Sequence, residues 1–106
     1  MKKMNIEDFL AEDDTPAIVR TAQEAEIWRR IKLSIAAYAY EFCDNPIMSD
    51  AQFDEMCGDI NPLIKTGNKL MDKFFKEKFD PSTGQWIHQH PELDKIKRLY
   101  ETYYNK

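Results

Sequence analysis

The sequence predicts an all-α fold, a single domain built as a compact bundle of about four to five helices with a helix–corner–helix at 38–57. Three observations predict it. Apolar residues recur at spacings of three and four along most of the chain, which is the period of one helix face. Only 3 glycines occur in 106 residues, while Glu, Lys, Ala and Met are abundant, a composition that favours helices over strands. Helix start and stop signals then cut these stretches into separate elements.

The first element begins in a polar segment whose apolar patch, Ile6, Phe9 and Leu10, suggests one or two helical turns laid on the body of the domain. Asp13-Asp14-Thr15-Pro16 is a helix start, with Thr15 as N-cap and Pro16 at the first helical position. From Pro16 to Cys43 the pattern is helical throughout. Trp28, Ile31, Ile35, Tyr38 and Phe42 form one apolar stripe, with Glu24, Glu26, Arg29, Arg30 and Lys32 mostly off it. Ala36, Ala37 and Ala39 let another helix approach closely. The part from Ala22 to Cys43 would span roughly 33 Å at 1.5 Å per residue and is the expected central helix.

Asp44-Asn45-Pro46 stops that helix, since Asn and Asp favour turns and Pro46 moves its predecessor out of the α region. Ser49 and Gln52 form a capping box that starts the next helix, with Asp50 in its first turn beside the positive end of the dipole. Phe53, Met56, Cys57 and Ile60 mark its buried face, while Asp50 and Asp54, one turn apart, share another. Gly58 weakens the helix and Pro62 ends or kinks it. Leu63, Ile64, Leu70, Met71, Phe74, Phe75 and Phe79 give a further amphipathic segment, with Lys69, Lys73, Lys76 and Lys78 outside. Asp80-Pro81-Ser82-Thr83-Gly84 is a loop, and Gln85-Trp86-Ile87-His88 reads as a plug rather than an extended piece. The last helix opens at His90-Pro91-Glu92, with Pro91 first, and turns Leu93, Ile96, Leu99 or Tyr100, and Tyr103 inward.

Composition bounds the function. No apolar run approaches the ~20 residues of a membrane span, and the charged N-terminus has no apolar signal core. Two cysteines, Cys43 and Cys57, are too few for a disulfide framework, so the expected compartment is the cytoplasm. The first 60 residues carry 6 Lys and Arg against 13 Asp and Glu, and the remainder 9 against 6. The acidic front argues against a nucleic-acid surface there, and the basic rear is too mild to suggest one.

The stretch from Tyr40 to Asp54 carries the pattern Y-x-x-x-D-x-P-x-x-S-D-A-x-F-D. It resembles the small N-terminal helical domain of bacterial NAD-dependent DNA ligases, which grips the nicotinamide mononucleotide half of NAD. The resemblance covers about a third of the chain and thins out after Met56. It implies that Tyr40 lines or stacks on the nicotinamide ring, and that Asp50 and Asp54 accept hydrogen bonds from the carboxamide or ribose hydroxyls. A cationic pyridinium suits an aromatic face and nearby negative charge. Glu41 stands where the family commonly has His, and Phe53 where it has Tyr. The implied binding set is thus Tyr40, Glu41, Asp50, Phe53 and Asp54, with NAD or nicotinamide mononucleotide as ligand. His90-Pro91-Glu92-Leu93 also matches an H-P-E-L of that family by letter, though much later in the chain than expected.

Ligation is not expected. The nucleotidyltransferase lysine lies in a K-x-D-G motif, and no such tetrapeptide occurs here; Lys65-Thr66-Gly67 lacks the Asp. Cys43, Cys57, His88 and His90 match no standard zinc spacing, and both cysteines fall on faces that look buried, so no metal site is expected. Two function classes remain. One is a non-catalytic module related to the ligase domain, binding the nicotinamide nucleotide. The other is a small bacterial or phage regulatory module that keeps only the fold and contacts a protein through the Lys-rich segment 65–78 or through Tyr100, Tyr103 and Tyr104.

Overall fold

A computed structural model describes residues 21–104, so the Ile6, Phe9 and Leu10 patch and the Thr15-Pro16 start lie outside the described residues. Four α-helices follow one another: α1 (Ala22–Cys43), α2 (Asp50–Asp59), α3 (Lys69–Glu77) and α4 (Leu93–Tyr103), with a 3-10 turn at Gln85–Gln89 between the last two. No strand occurs among the described residues. The fold is all-α. The long helix α1 is the axis, with α2, α4 and the 3-10 turn packed on it.

The helix expected to run unbroken from Pro16 starts instead at Ala22. Thr21 is extended, at φ −65° and ψ 163°, and caps α1 through a reciprocal box: its hydroxyl accepts from Glu24 N–H, and Glu24 Oε1 accepts from Thr21 N–H. Burial on α1 also differs from the expected single stripe. Residues 33–39 are buried around the whole circumference, including Leu33, Ser34, Ala36, Ala37 and Ala39. Helices pack on several sides there, and small side chains let them close in. At its ends α1 outruns its neighbours, so Trp28 is only half-buried and Phe42, expected in the core, is 45 % exposed. Phe42 stacks on Tyr38 with ring centroids 4.9 Å apart and meets His88 at 4.7 Å.

Cys57 in α2 and Ile60 just past its end are buried, while Phe53 and Met56, expected on the same buried face, are half-buried. Cys43 is exposed, contrary to the expected buried face; it lies in the last, open turn of α1. Burial pushes the Cys57 thiol up to about 11, helped by the charges of Asp54 and Asp80. Of the apolar segment 63–79, Met71, Phe74 and Phe75 are in the core, but Leu63 and Leu70 stand 80 % and 59 % exposed. The helix starts only at Lys69, so Leu63 belongs to a turn outside it.

The expected plug forms as the 3-10 turn, which buries Trp86 and Ile87. Trp86 meets Phe74, Phe75 and Phe79 at centroid distances of 6.0, 5.7 and 5.1 Å. On α4, Ile96, Leu99 and Tyr100 are buried as expected. The helix opens one residue after Glu92 rather than at Pro91, and the Glu92 side chain turns away to Asn68 and Lys95.

Glu26 and Arg30, placed off the apolar stripe in the sequence, are fully buried. Arg30 donates to Glu26 Oε2 at 2.7 Å, to Asp72 Oδ1 at 2.9 Å, and to the carbonyls of Asn61 and Ile64 at 2.9 and 3.0 Å. Its guanidinium lies 5.2 Å from the centroid of the Phe75 ring. Glu26 also accepts from the Asn61 amide and from Arg29. This buried cluster ties the 61–72 segment to α1. Burial works against the charge of Asp72, but the Thr66 hydroxyl and amide and the Arg30 guanidinium outweigh it and hold that carboxyl below its ordinary range.

Candidate functional site

The corner between α1 and α2 is built by backbone chemistry. Asp44 takes the left-handed conformation at φ 48°, which Asp tolerates better than most residues. Its amide and that of Asn45 both donate to the Ala39 carbonyl, closing the end of α1. Asn45 Nδ2 donates to Tyr100 Oη at 2.8 Å, anchoring the corner to α4. Ser49 then caps α2 as the sequence predicts: Ser49 Oγ accepts from Gln52 N–H at 3.1 Å and Gln52 Oε1 from Ser49 N–H at 2.9 Å.

The result is an open concavity of about 280 Å³ between the two helices. Tyr40 from the last turn of α1 lines one side, and Asp50, Phe53 and Asp54 from α2 line the other. Tyr40 is 55 % exposed and therefore no core residue. Ala36 and Ala37 form the α1 wall, and Pro46, Ile47 and Met48 come from the corner. The remaining wall is Thr83 and Gly84, just ahead of the 3-10 turn. Two carboxylates and two aromatic rings thus face one hollow, and among the described residues no Lys, Arg or His lines it.

Four of the five residues singled out in the sequence meet here. Glu41 does not. Its Oε1 lies 3.0 Å from His88 Nε2, and it is absent from the lining because the next helical position points about 100° away from Tyr40. Gly84 was not picked out by sequence reasoning. A Cβ on it would sit 3.3 Å from Phe53 Cζ, so the bare backbone is what lets the loop close over the Phe53 ring. Its only sequence signal is a glycine at the end of a turn-rich loop.

A larger cleft of about 520 Å³ lies between α1, the start of α3 and α4, floored by Ile31, Met71, Ile96 and Leu99. Two of its polar residues bind Glu92: Asn68 Nδ2 donates to Glu92 Oε1 at 2.7 Å, and Lys95 Nζ to Glu92 Oε2 at 2.9 Å. Burial alone would raise the Glu92 carboxyl, but these bonds prevail and hold it below its ordinary range. His90 borders the cleft, buried, with Nδ1 accepting from Glu92 N–H at 3.0 Å. Burial lowers the His90 pKa to about 4, against a smaller upward pull from Glu92.

This sets a pH dependence. The unfolded chain protonates His90 near 6.5, and the folded chain resists until about 4. Stability contributed by neutral His90 is complete above pH 6.5 and is lost as pH falls toward 4, by on the order of 3 kcal/mol. Urea unfolding across that window is expected to show the loss. His90→Asn keeps an acceptor for the Glu92 amide without titrating, and its acid-side slope is expected to be shallower.

The tyrosine end proposed as a contact surface is largely used internally. Tyr100 is buried, and Lys32 Nζ donates to Tyr104 Oη at 2.7 Å. Lys65, Lys69, Lys73, Lys76 and Lys78 are exposed. Among the described residues no group of three His, Cys, Asp or Glu side chains gathers as a metal site, and no helix is long and apolar enough to cross a membrane. No protein-family model, curated protein or solved structure matches this chain.

Proposed function

We propose that this chain is a non-catalytic binding module that holds the nicotinamide–ribose moiety of a nicotinamide nucleotide in the α1–α2 corner. The observation that carries the reading is the convergence of Tyr40, Asp50, Phe53 and Asp54 on one open hollow. Its volume, about 280 Å³, sits at the lower edge of small-molecule pockets (~300–1,000 Å³), enough for a ring and a sugar rather than a dinucleotide. The aromatic faces suit a flat pyridinium, and the carboxylates suit its charge and the ribose hydroxyls. The likeness of Tyr40–Asp54 to the ligase domain supports the same ligand.

Calorimetric titration with nicotinamide mononucleotide tests this. The expected affinity is weak, with Kd on the order of a millimolar, since among the described residues nothing closes over the hollow. Asp54→Ala is expected to abolish binding with helicity unchanged, because Asp54 is exposed and outside the core. Heat absent at millimolar concentrations of both nicotinamide mononucleotide and nicotinamide riboside, or unchanged in Asp54→Ala, contradicts the reading.

A second reading has its own observation. Leu63 and Leu70 are exposed beside Lys65, Lys69 and Lys73, a basic surface with apolar anchors that suits an acidic protein segment. It takes first place if the corner binds nothing.

A further inference from the structure

From the charge of the corner hollow we infer that its ligand class is a phosphate-free pyridinium cation: the nicotinamide nucleoside rather than its 5′-nucleotide. This inference rests on the reading of the corner as a nicotinamide site and narrows it.

Asp50 and Asp54 stand one helical turn apart on the same rim, with Tyr40 and Phe53 as the aromatic walls. Every other described lining residue is apolar or neutral: alanines, Pro46, Ile47, Met48, Thr83 and Gly84. A phosphate needs donors, usually Arg, Lys or a cluster of backbone amides. At the N-terminus of α2 the capping box takes the Ser49 and Gln52 amides, and the Asp50 carboxylate in the first turn opposes an anion there. Among the described residues no Lys, Arg or His reaches the hollow either. His88 pairs with Glu41 at 3.0 Å outside it, and Lys32 pairs with Tyr104. The hollow therefore presents negative potential and π-faces, which attract an aromatic cation and repel a phosphate.

The nicotinamide nucleoside carries +1, from its pyridinium nitrogen. Adding the 5′-phosphate brings about −2 and reverses the net sign. Two carboxylates at the rim then favour one ligand and oppose the other. At low ionic strength the two exposed carboxylates set a preference of about tenfold. Salt screens the preference, since the Debye length shrinks from about 10 Å at 0.1 M to about 3 Å at 1 M.

The test is a set of titrations of the whole chain at low salt with four probes: nicotinamide riboside, nicotinamide mononucleotide, the 1-methylnicotinamide cation and neutral nicotinamide. The riboside is expected to bind about tenfold tighter than the mononucleotide, with the gap closing at 1 M NaCl. 1-Methylnicotinamide is expected to outbind nicotinamide, which lacks the charge. In the Asp50→Asn/Asp54→Asn variant, which leaves the core untouched, the riboside is expected to lose its advantage. Mononucleotide binding as tightly as the riboside, or nicotinamide as tightly as its methylated cation, overturns the inference while the nicotinamide site itself stands. Silence from both the riboside and the mononucleotide overturns the site and the inference together.

Discussion

Arg30→Ala is expected to destabilise the fold by about 3–5 kcal/mol, the cost of leaving a buried charge without its partner. Glu26 is fully buried against it at 2.7 Å, and truncation leaves that carboxylate with only Arg29 and the Asn61 amide. The carbonyls of Asn61 and Ile64 lose their donor at the same time, and each buried unsatisfied group costs about 1–3 kcal/mol. Arg30→Lys is expected to recover only part of the loss, because an ammonium has no planar fork to reach two carboxylates and two carbonyls. Urea unfolding gives the stabilities, and faster amide exchange at Asn61 in the variant would locate the defect. A loss below about 1 kcal/mol, the value of a surface ion pair, would contradict the buried cluster.

Trp86→Ala is expected to cost about 3–5 kcal/mol as well, by removing a large buried side chain wedged among Phe74, Phe75 and Phe79. The effect should reach the corner. Thr83 and Gly84, one wall of the hollow, lead directly into the turn that Trp86 anchors. A loosened turn releases the loop from the Phe53 ring, so ligand binding is expected to weaken alongside stability. Trp86→Phe is expected to be much milder. It fills most of the space, and it removes an indole Nε1 that is buried with no hydrogen-bond partner among the described residues. Thermal unfolding and ligand titration on the two variants separate these outcomes.

The corner was legible because its determinants are local. Pro46, the Ser49–Gln52 box and the one-turn spacing of Asp50 and Asp54 all act within a few residues, and the structure shows each in place. The apolar period likewise located the buried residues of α3 and α4. What escaped depends on distant partners. Glu26 and Arg30 look like a solvated i, i+4 pair until Asn61 and Asp72 arrive from 35 and 42 residues away. Phe42 has the spacing of a core residue, but no described helix covers the end of α1 where it sits. Gly84 matters only because Phe53 packs on it from another element. Thr21 was overshadowed by the Thr15-Pro16 start upstream, although Glu24 completes its capping box in plain sequence.

The central claim, that the α1–α2 corner is a nicotinamide site, is tested most directly by amide chemical-shift mapping during titration with nicotinamide riboside to millimolar concentration. Saturable shifts are expected at Ala36–Asp54 together with Thr83 and Gly84, two stretches distant in sequence that both line the hollow. Shifts confined to the cleft around Asn68 and Lys95, or none at the corner at saturation, would contradict it.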